Sequence, residues 1–218
     1  NEIGTIQPMA EIGAICREQK VFLHTDAAQA VGKIPIDVKQ MKIDLLSLTA
    51  HKIFGPMGIG ALYVGKKPRV RLEPIFSGGG QEKGLRSGTL APALCVGLGE
   101  ALRIADEEML GDAARLGALR DQMWQRLNGA VPGLVLNGSM TNRIGVNLNF
   151  SVDGADAESL MAALPGLAVS SGSACSSASD DSSHVLKAIG LSNALAEASL
   201  RIGLGRFTTA DEVESATN

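Results

Sequence analysis

The sequence has no excess of positive charge: 20 Lys and Arg stand against 23 Asp and Glu, giving a net charge of −3 and a pI near 5.7. Nucleic acid or an anionic membrane surface would find no basic field here to hold it. Long apolar runs are also missing, and the longest fall far short of the ~20 residues that span a bilayer. Cysteine is scarce. Cys16, Cys95 and Cys175 form no CxxC pair and no disulfide framework, and the odd count suits a reducing compartment. No signal-peptide pattern stands at the start. The chain begins at Asn1 rather than Met, so "NEIGTIQ" reads as mid-protein sequence and the chain as a fragment. Internal repeats and low-complexity tracts are absent as well.

What is present is ordinary globular composition: 218 residues, 45% apolar and 20% charged, enough for one or two domains with a core. Apolar spacing at Met9, Ile12, Ile15 and Cys16 predicts a helix over Met9 to Lys20, with Cys16 a small core residue. Cys95, in "ALCVGLG", is read the same way. "VFLHTDAAQAVG" reads as a buried parallel strand that turns polar at Asp26. "IDLLSL" repeats the pattern up to Thr49, and "GALYVG" is a third strand. Helix alternating with buried strand predicts an α/β layer fold.

The second half reads differently. "GEALRIADEEMLGDAARLGALRDQMWQRL" lies in a long helical region from Ala91 to about Leu127. "IGVNLNFSV" alternates like a strand with one wet face, "DAESLMAAL" is a short helix, and "LAVSSGSAC" is a strand running into a loop of small residues. "SHVLKAIG" is a helix stopped by Gly190, "LRIGLG" is a strand, and "TADE" at Thr209 to Glu212 is a capping box.

Four places carry chemistry. Lys52 sits in "TAHKIFGPMGIG", between apolar strands and beside a glycine-rich turn. An ordinary lysine is a solvated surface residue, but an amine desolvated at a sheet end suits Schiff-base chemistry. Asp26 stands 26 residues before it at the end of another strand. It is either an N-cap for "AAQAVG" or a partner for a buried cation such as a pyridinium, with Gln29 one turn on. "SGGGQEKGLRSGTL" (77–90) cannot be regular structure. It is either a flexible surface loop or an ordered loop that meets an anion. Cys175 lies among Ser, Gly and Ala from Ser171 to Ser179, where a thiol stays exposed and can react, unless it is an incidental surface cysteine. His24 is read as a core or supporting residue, and His184 as a cap or loop anchor.

"HTDAAQAVGK", "AHKIFGPMGIGALYV", "SGGGQEKGLRSGT", "SSGSACSSAS" and "LRIGLGRFTT" occur in collinear order through nearly the whole chain. Together they resemble the cysteine desulfurases of the NifS/IscS type, fold-type I pyridoxal-phosphate enzymes of the class-V aminotransferase family. "SGSAC" in a long Ser-rich loop points to group I. The resemblance implies a mostly parallel sheet in a large domain, whose C-terminal part is residues 1–108 with the start of a linking helix. A smaller α+β domain, 109–218, carries the cysteine loop.

The resemblance also implies roles. Lys52 is the Schiff-base lysine. Asp26 pairs with the pyridinium nitrogen of pyridoxal 5'-phosphate and Gln29 with its ring oxygen. Asn1 contacts the ring oxygen and the substrate carboxylate, and Arg201 clamps that carboxylate with its planar fork. Thr49 (where relatives usually have Ser) and His51 contact the phosphate. Thr89 reaches the phosphate across a homodimer. Cys175 attacks the sulfur of L-cysteine and keeps it as a persulfide, leaving alanine, and a mobile loop passes the sulfur to an iron–sulfur scaffold protein or other acceptor, with tRNA thiolation a further destination. Arg206 is structural.

No nucleic acid and no membrane take part directly, and the compartment is the cytoplasm or the mitochondrial matrix. The open alternatives are a selenocysteine lyase or aminotransferase relative of the same fold, and a non-catalytic scaffold subunit. Three departures stand out: the N-terminal portion of the family is absent, Met57 replaces a lysine, and Asp180-Asp181-Ser182 replaces Leu-Glu-Pro.

Overall fold

The computed structural model describes residues 1–171 and 182–218, and divides them into two compact units. One unit is Pro8–Met109. The other joins Asn1–Gln7 to Leu110–Asn218, so the first seven residues pack with the C-terminal half of the chain.

In the Pro8–Met109 unit, helix α1 (Met9–Glu18) lays Met9, Ile12 and Cys16 against a core of Leu23, Ala27, Ile43 and Leu46. Gly13 lets it approach closely, because a Cβ there would lie 2.0 Å from the Met41 carbonyl oxygen. Strand β1 (His24–Asp26) pairs in parallel with β2 (Leu45–Thr49), which pairs antiparallel with β3 (Gly60–Val64). The segment between β2 and β3 is too short for the crossover that a parallel partner needs. The sheet is therefore mixed where the sequence suggested parallel strands. β3 is also not the buried strand expected from its apolar content: among the described residues it pairs with β2 alone, and Leu62 and Tyr63 are exposed. Buried Asp44 ties the layers together, accepting from Leu23 N at 2.9 Å and from Arg17 Nη2 at 3.0 Å.

Helix α2 (Pro92–Ala130) runs for 39 residues, as its periodicity predicts. Its early residues Leu98 and Ala101 bury against Ala50 and Ile53 within the first unit. Later ones, Leu116, Leu119 and Met123, enter the core of the second with Leu148, Phe150, Leu200 and Val213.

The second unit holds strands β4 (Leu134–Leu136), β5 (Asn147–Val152), β6 (Ser170–Ser171) and β7 (Ser199–Gly203) in the order β4-β5-β7-β6, with every pairing antiparallel. Helices α3 (Ala157–Ala163), α4 (His184–Ala188), α5 (Asn193–Glu197) and α6 (Ala210–Ser215) accompany them. Both capping devices read from the sequence are present: Thr209 and Glu212 form the box that opens α6, and Gly190 takes φ 97° just beyond α4.

The wet face expected of β5 is absent. Its polar positions Asn147, Asn149 and Ser151 are buried along with its apolar ones. Asn137 Nδ2 donates to Asn149 Oδ1 at 2.7 Å and to Ser151 Oγ at 3.0 Å, and Ser151 Oγ lies 2.8 Å from Ser199 Oγ. Alternation marks a two-faced strand, but it does not say whether the polar face meets water or a satisfied network. Asn137→Ala should destabilise the protein by about 2–3 kcal/mol, because buried acceptors then lose their donor. Denaturant midpoints test this, and an unchanged midpoint would show that the network contributes nothing.

Candidate cofactor site

β1 and β2 are parallel and end on the same side, at Asp26 and Thr49, with Lys52 in the turn that follows. The C-terminal edge of parallel strands is where open α/β sheets present ligand-binding groups. Four of the expected site residues gather there: a carboxylate, a hydroxyl, an imidazole and an amine.

Asp26 Oδ1 accepts from Ala28 N at 2.9 Å. The segment after it is a run of turns and not a helix, so the aspartate closes a turn and does not cap a helix. Asp26 is exposed, and a carboxylate has a second oxygen for another partner. His24 is likewise exposed and not a core residue, with its Nε2 2.8 Å from Ser47 Oγ on the neighbouring strand. Thr49 Oγ1 lies 2.9 Å from His51 Nδ1, so that contact leaves the Nε2 edge of the imidazole for an outside group.

Lys52 lies in a single 3₁₀ turn, Ala50–Ile53, held from beneath by buried Ala50 and Ile53. Gly55 permits this packing, since a Cβ there would sit 2.9 Å from Ala101 Cβ. Gly58 supplies a backbone at φ 87° that other residues rarely adopt. The lysine itself is exposed, where desolvation was expected. The apolar neighbours in its sequence hold the turn in place and leave the side chain uncovered. Met57 is 81% exposed.

Sequence reasoning passed over Lys33. Its Nζ donates to Gln29 Oε1 at 3.1 Å and to the carbonyl oxygen of Lys52 at 3.3 Å. The available signal was its spacing, four residues after Gln29. Burial, followed by the nearby Lys52 ammonium, lowers Lys33 from 10.5 to about 8. Between those values the unfolded chain binds more protons than the folded one, so this group makes stability rise with pH across that window. The stability difference between wild type and Lys33→Met should therefore shift in favour of wild type from pH 8 to 10.5 and level off on either side. Urea midpoints of the two proteins across that range check it, and a constant difference would contradict it.

The 77–90 loop is ordered by its own contacts. Gln81 Oε1 accepts from Gly88 N at 2.9 Å, Ser87 Oγ from Gly80 N at 3.3 Å, and a 3₁₀ turn spans Glu82–Gly84. Arg86 stands 6.0 Å from the Phe76 ring centroid, and Thr89 is exposed.

The remaining expected site residues belong to the second unit. Arg201, on β7, donates from Nε to Ser170 Oγ at 3.2 Å, a contact that does not use its Nη pair. Asn1 is exposed, and the backbone beside it is held by buried side chains: Asn147 and Asn149 both donate to the Glu2 carbonyl oxygen, at 3.1 and 3.2 Å. Ser183 Oγ donates to Glu2 Oε1 at 2.6 Å, and Ser183, rather than His184, caps α4. Arg206 has the structural part expected of it, pairing with Asp112 at 3.0 Å. Cys175 lies outside the described residues. Among the described residues, no cluster of His, Cys, Asp and Glu could hold a metal, and no helix is long and apolar enough to cross a membrane.

An α/β unit with this group of side chains at its strand ends, linked through a long helix to an antiparallel α+β unit, is the fold-type I architecture of pyridoxal-phosphate transferases. The chain belongs to the aminotransferase class-V family, whose model matches residues 1–215. It is 56% identical over 216 residues to "Cysteine desulfurase IscS" of Histophilus somni (strain 129Pt), covering 99% of this chain and 53% of that protein. It is 54% identical over 214 residues to "Cysteine desulfurase, mitochondrial" of Arthroderma benhamiae, covering 98% of this chain and 42% of that protein. A solved NifS-like protein superposes with a TM-score of 0.87 at 31% identity, covering 99% of this chain and 56% of that one. The chain thus spans about half the length of these relatives.

The donor set fits pyridoxal phosphate: an exposed carboxylate for a pyridinium nitrogen, an amide for a ring oxygen, a hydroxyl and an imidazole for phosphate, and a primary amine for the carbonyl carbon.

Proposed function

We propose that this chain forms part of a cysteine desulfurase, which converts L-cysteine to L-alanine and transfers the sulfur to Cys175. The observation that carries the reading is the placement of Asp26, Thr49, His51 and Lys52 at one end of the β1–β2 pair, in a family of pyridoxal-phosphate enzymes. Asp26 would pair with the ring nitrogen, Gln29 and Asn1 with the ring oxygen, and Thr49 and His51 with the phosphate. Lys52 would hold the cofactor covalently. When bound, pyridoxal phosphate supplies an electron sink for the substrate α-carbon.

Lys52 Nζ then has a second task, removing the proton from that carbon. Arg201 and Asn1 hold the substrate carboxylate, Arg201 by the two-pronged geometry that suits guanidinium to carboxylate. Cys175 Sγ acts as a thiolate on the substrate sulfur. An S–S bond forms, the C–S bond breaks, and its electron pair stays with the carbon fragment, which leaves as alanine after protonation.

Thr89 would complete the phosphate site of a partner subunit, making the active form a homodimer. The Cys175 loop would deliver sulfur to a scaffold protein for iron–sulfur cluster assembly or to another acceptor, in the cytoplasm or the mitochondrial matrix. Purified protein supplied with pyridoxal phosphate should turn yellow and release alanine from L-cysteine in equal measure with sulfur. A protein that stays colourless, or that is yellow and releases no alanine, contradicts the reading.

A further inference from the structure

We propose that Lys33 is a positioning residue that sets which way the Gln29 amide faces in the cofactor site, an inference that rests on the reading just given. The lysine ammonium has only donors, so the Gln29 atom it touches at 3.1 Å must be Oε1. An amide whose oxygen is committed in this way has its NH₂ left for other partners. A ring oxygen requires that donor. Without Lys33 the amide could turn and offer it an acceptor, which would repel it.

The same Nζ also reaches the carbonyl oxygen of Lys52 at 3.3 Å. One side chain therefore ties the turn that bears Gln29 to the turn that bears the reactive amine, with Lys33 and Lys52 themselves 19 residues apart along the chain. The lysine holds this place despite partial burial and a second lysine nearby, both of which disfavour its charge. Its neighbours in the sequence give it nothing to do at the surface: Gly32 and Ile34 beside it are partly buried, and Val31 packs against the core.

The test uses pyridoxal phosphate itself as the probe, with affinity and the absorbance maximum of the bound cofactor as readouts. Lys33→Met removes both donated bonds and keeps the apolar stem, and should weaken binding roughly 5-fold, the scale of one lost hydrogen bond. Gln29→Ala should weaken it by a similar factor and move the absorbance maximum in the same direction. The double variant should lose less than the sum of the two single losses, since part of the effect of Lys33 runs through that amide. Lys33→Arg, which keeps a donor, should recover most of the affinity and the wild-type spectrum.

Fully additive losses in the double variant, or a Lys33→Met protein with wild-type affinity and spectrum, overturn the inference and leave the cofactor site standing. If borohydride attaches no pyridoxal phosphate to Lys52 in the wild-type protein, the underlying reading itself fails. Circular dichroism of each variant separates these results from loss of folding.

Discussion

Lys52→Ala should leave the protein unable to retain pyridoxal phosphate through reduction and should lower alanine formation from L-cysteine by on the order of 10⁴-fold or more, since under the proposed function one amine would serve as both covalent anchor and base. The fold should survive. Lys52 is exposed, and the turn that carries it is held by Ala50 and Ile53, not by the lysine side chain. Borohydride reduction of the wild-type protein with pyridoxal phosphate, followed by peptide mapping, should place the adduct on Lys52, and the variant should carry none there. An adduct on Lys33 instead would reassign the anchor. That lysine is the natural competitor, because it lies beside the same turn and its pKa, about 8, leaves a larger share of neutral amine near neutrality than an ordinary lysine has.

Cys175→Ala should behave in the opposite way. The cofactor should still bind and colour the protein, because Asp26, Gln29, Thr49, His51 and Lys52 are untouched, while transfer of sulfur from L-cysteine falls by about a thousandfold or more. The two variants together distinguish the alternatives. An aminotransferase relative has no use for the thiol, so its activity would survive Cys175→Ala. A non-catalytic scaffold subunit would be colourless even as wild type.

Much of this was legible in the sequence, for identifiable reasons. α1 and α2 announce themselves through apolar spacing, and α6 and the end of α4 through Thr209, Glu212 and Gly190. Asp26 and Thr49 were readable as strand ends because apolar runs stop there. What was not legible depends on which surfaces meet. β5 alternates in sequence, yet its polar side is buried by Asn137, Ser199 and the backbone of residue 2, long-range partners that no local pattern displays. β3 is apolar in sequence but exposed as an edge strand. The same limit applies to Lys52: its apolar neighbours in sequence suggest burial, but they support its backbone and leave the side chain exposed. Lys33 is not legible in the sequence because a lysine in a turn is usually solvated, and only its contacts with Gln29 and Lys52 distinguish it.

The most direct test of the central claim is the mass of the Cys175 peptide after cofactor-loaded protein meets one equivalent of L-cysteine without reductant. The peptide should gain the mass of one sulfur atom, that gain should vanish on adding a thiol reductant, and one alanine should form for each sulfur bound. Alanine formed with no added mass at Cys175, or sulfur found on Cys16 or Cys95 instead, would contradict it.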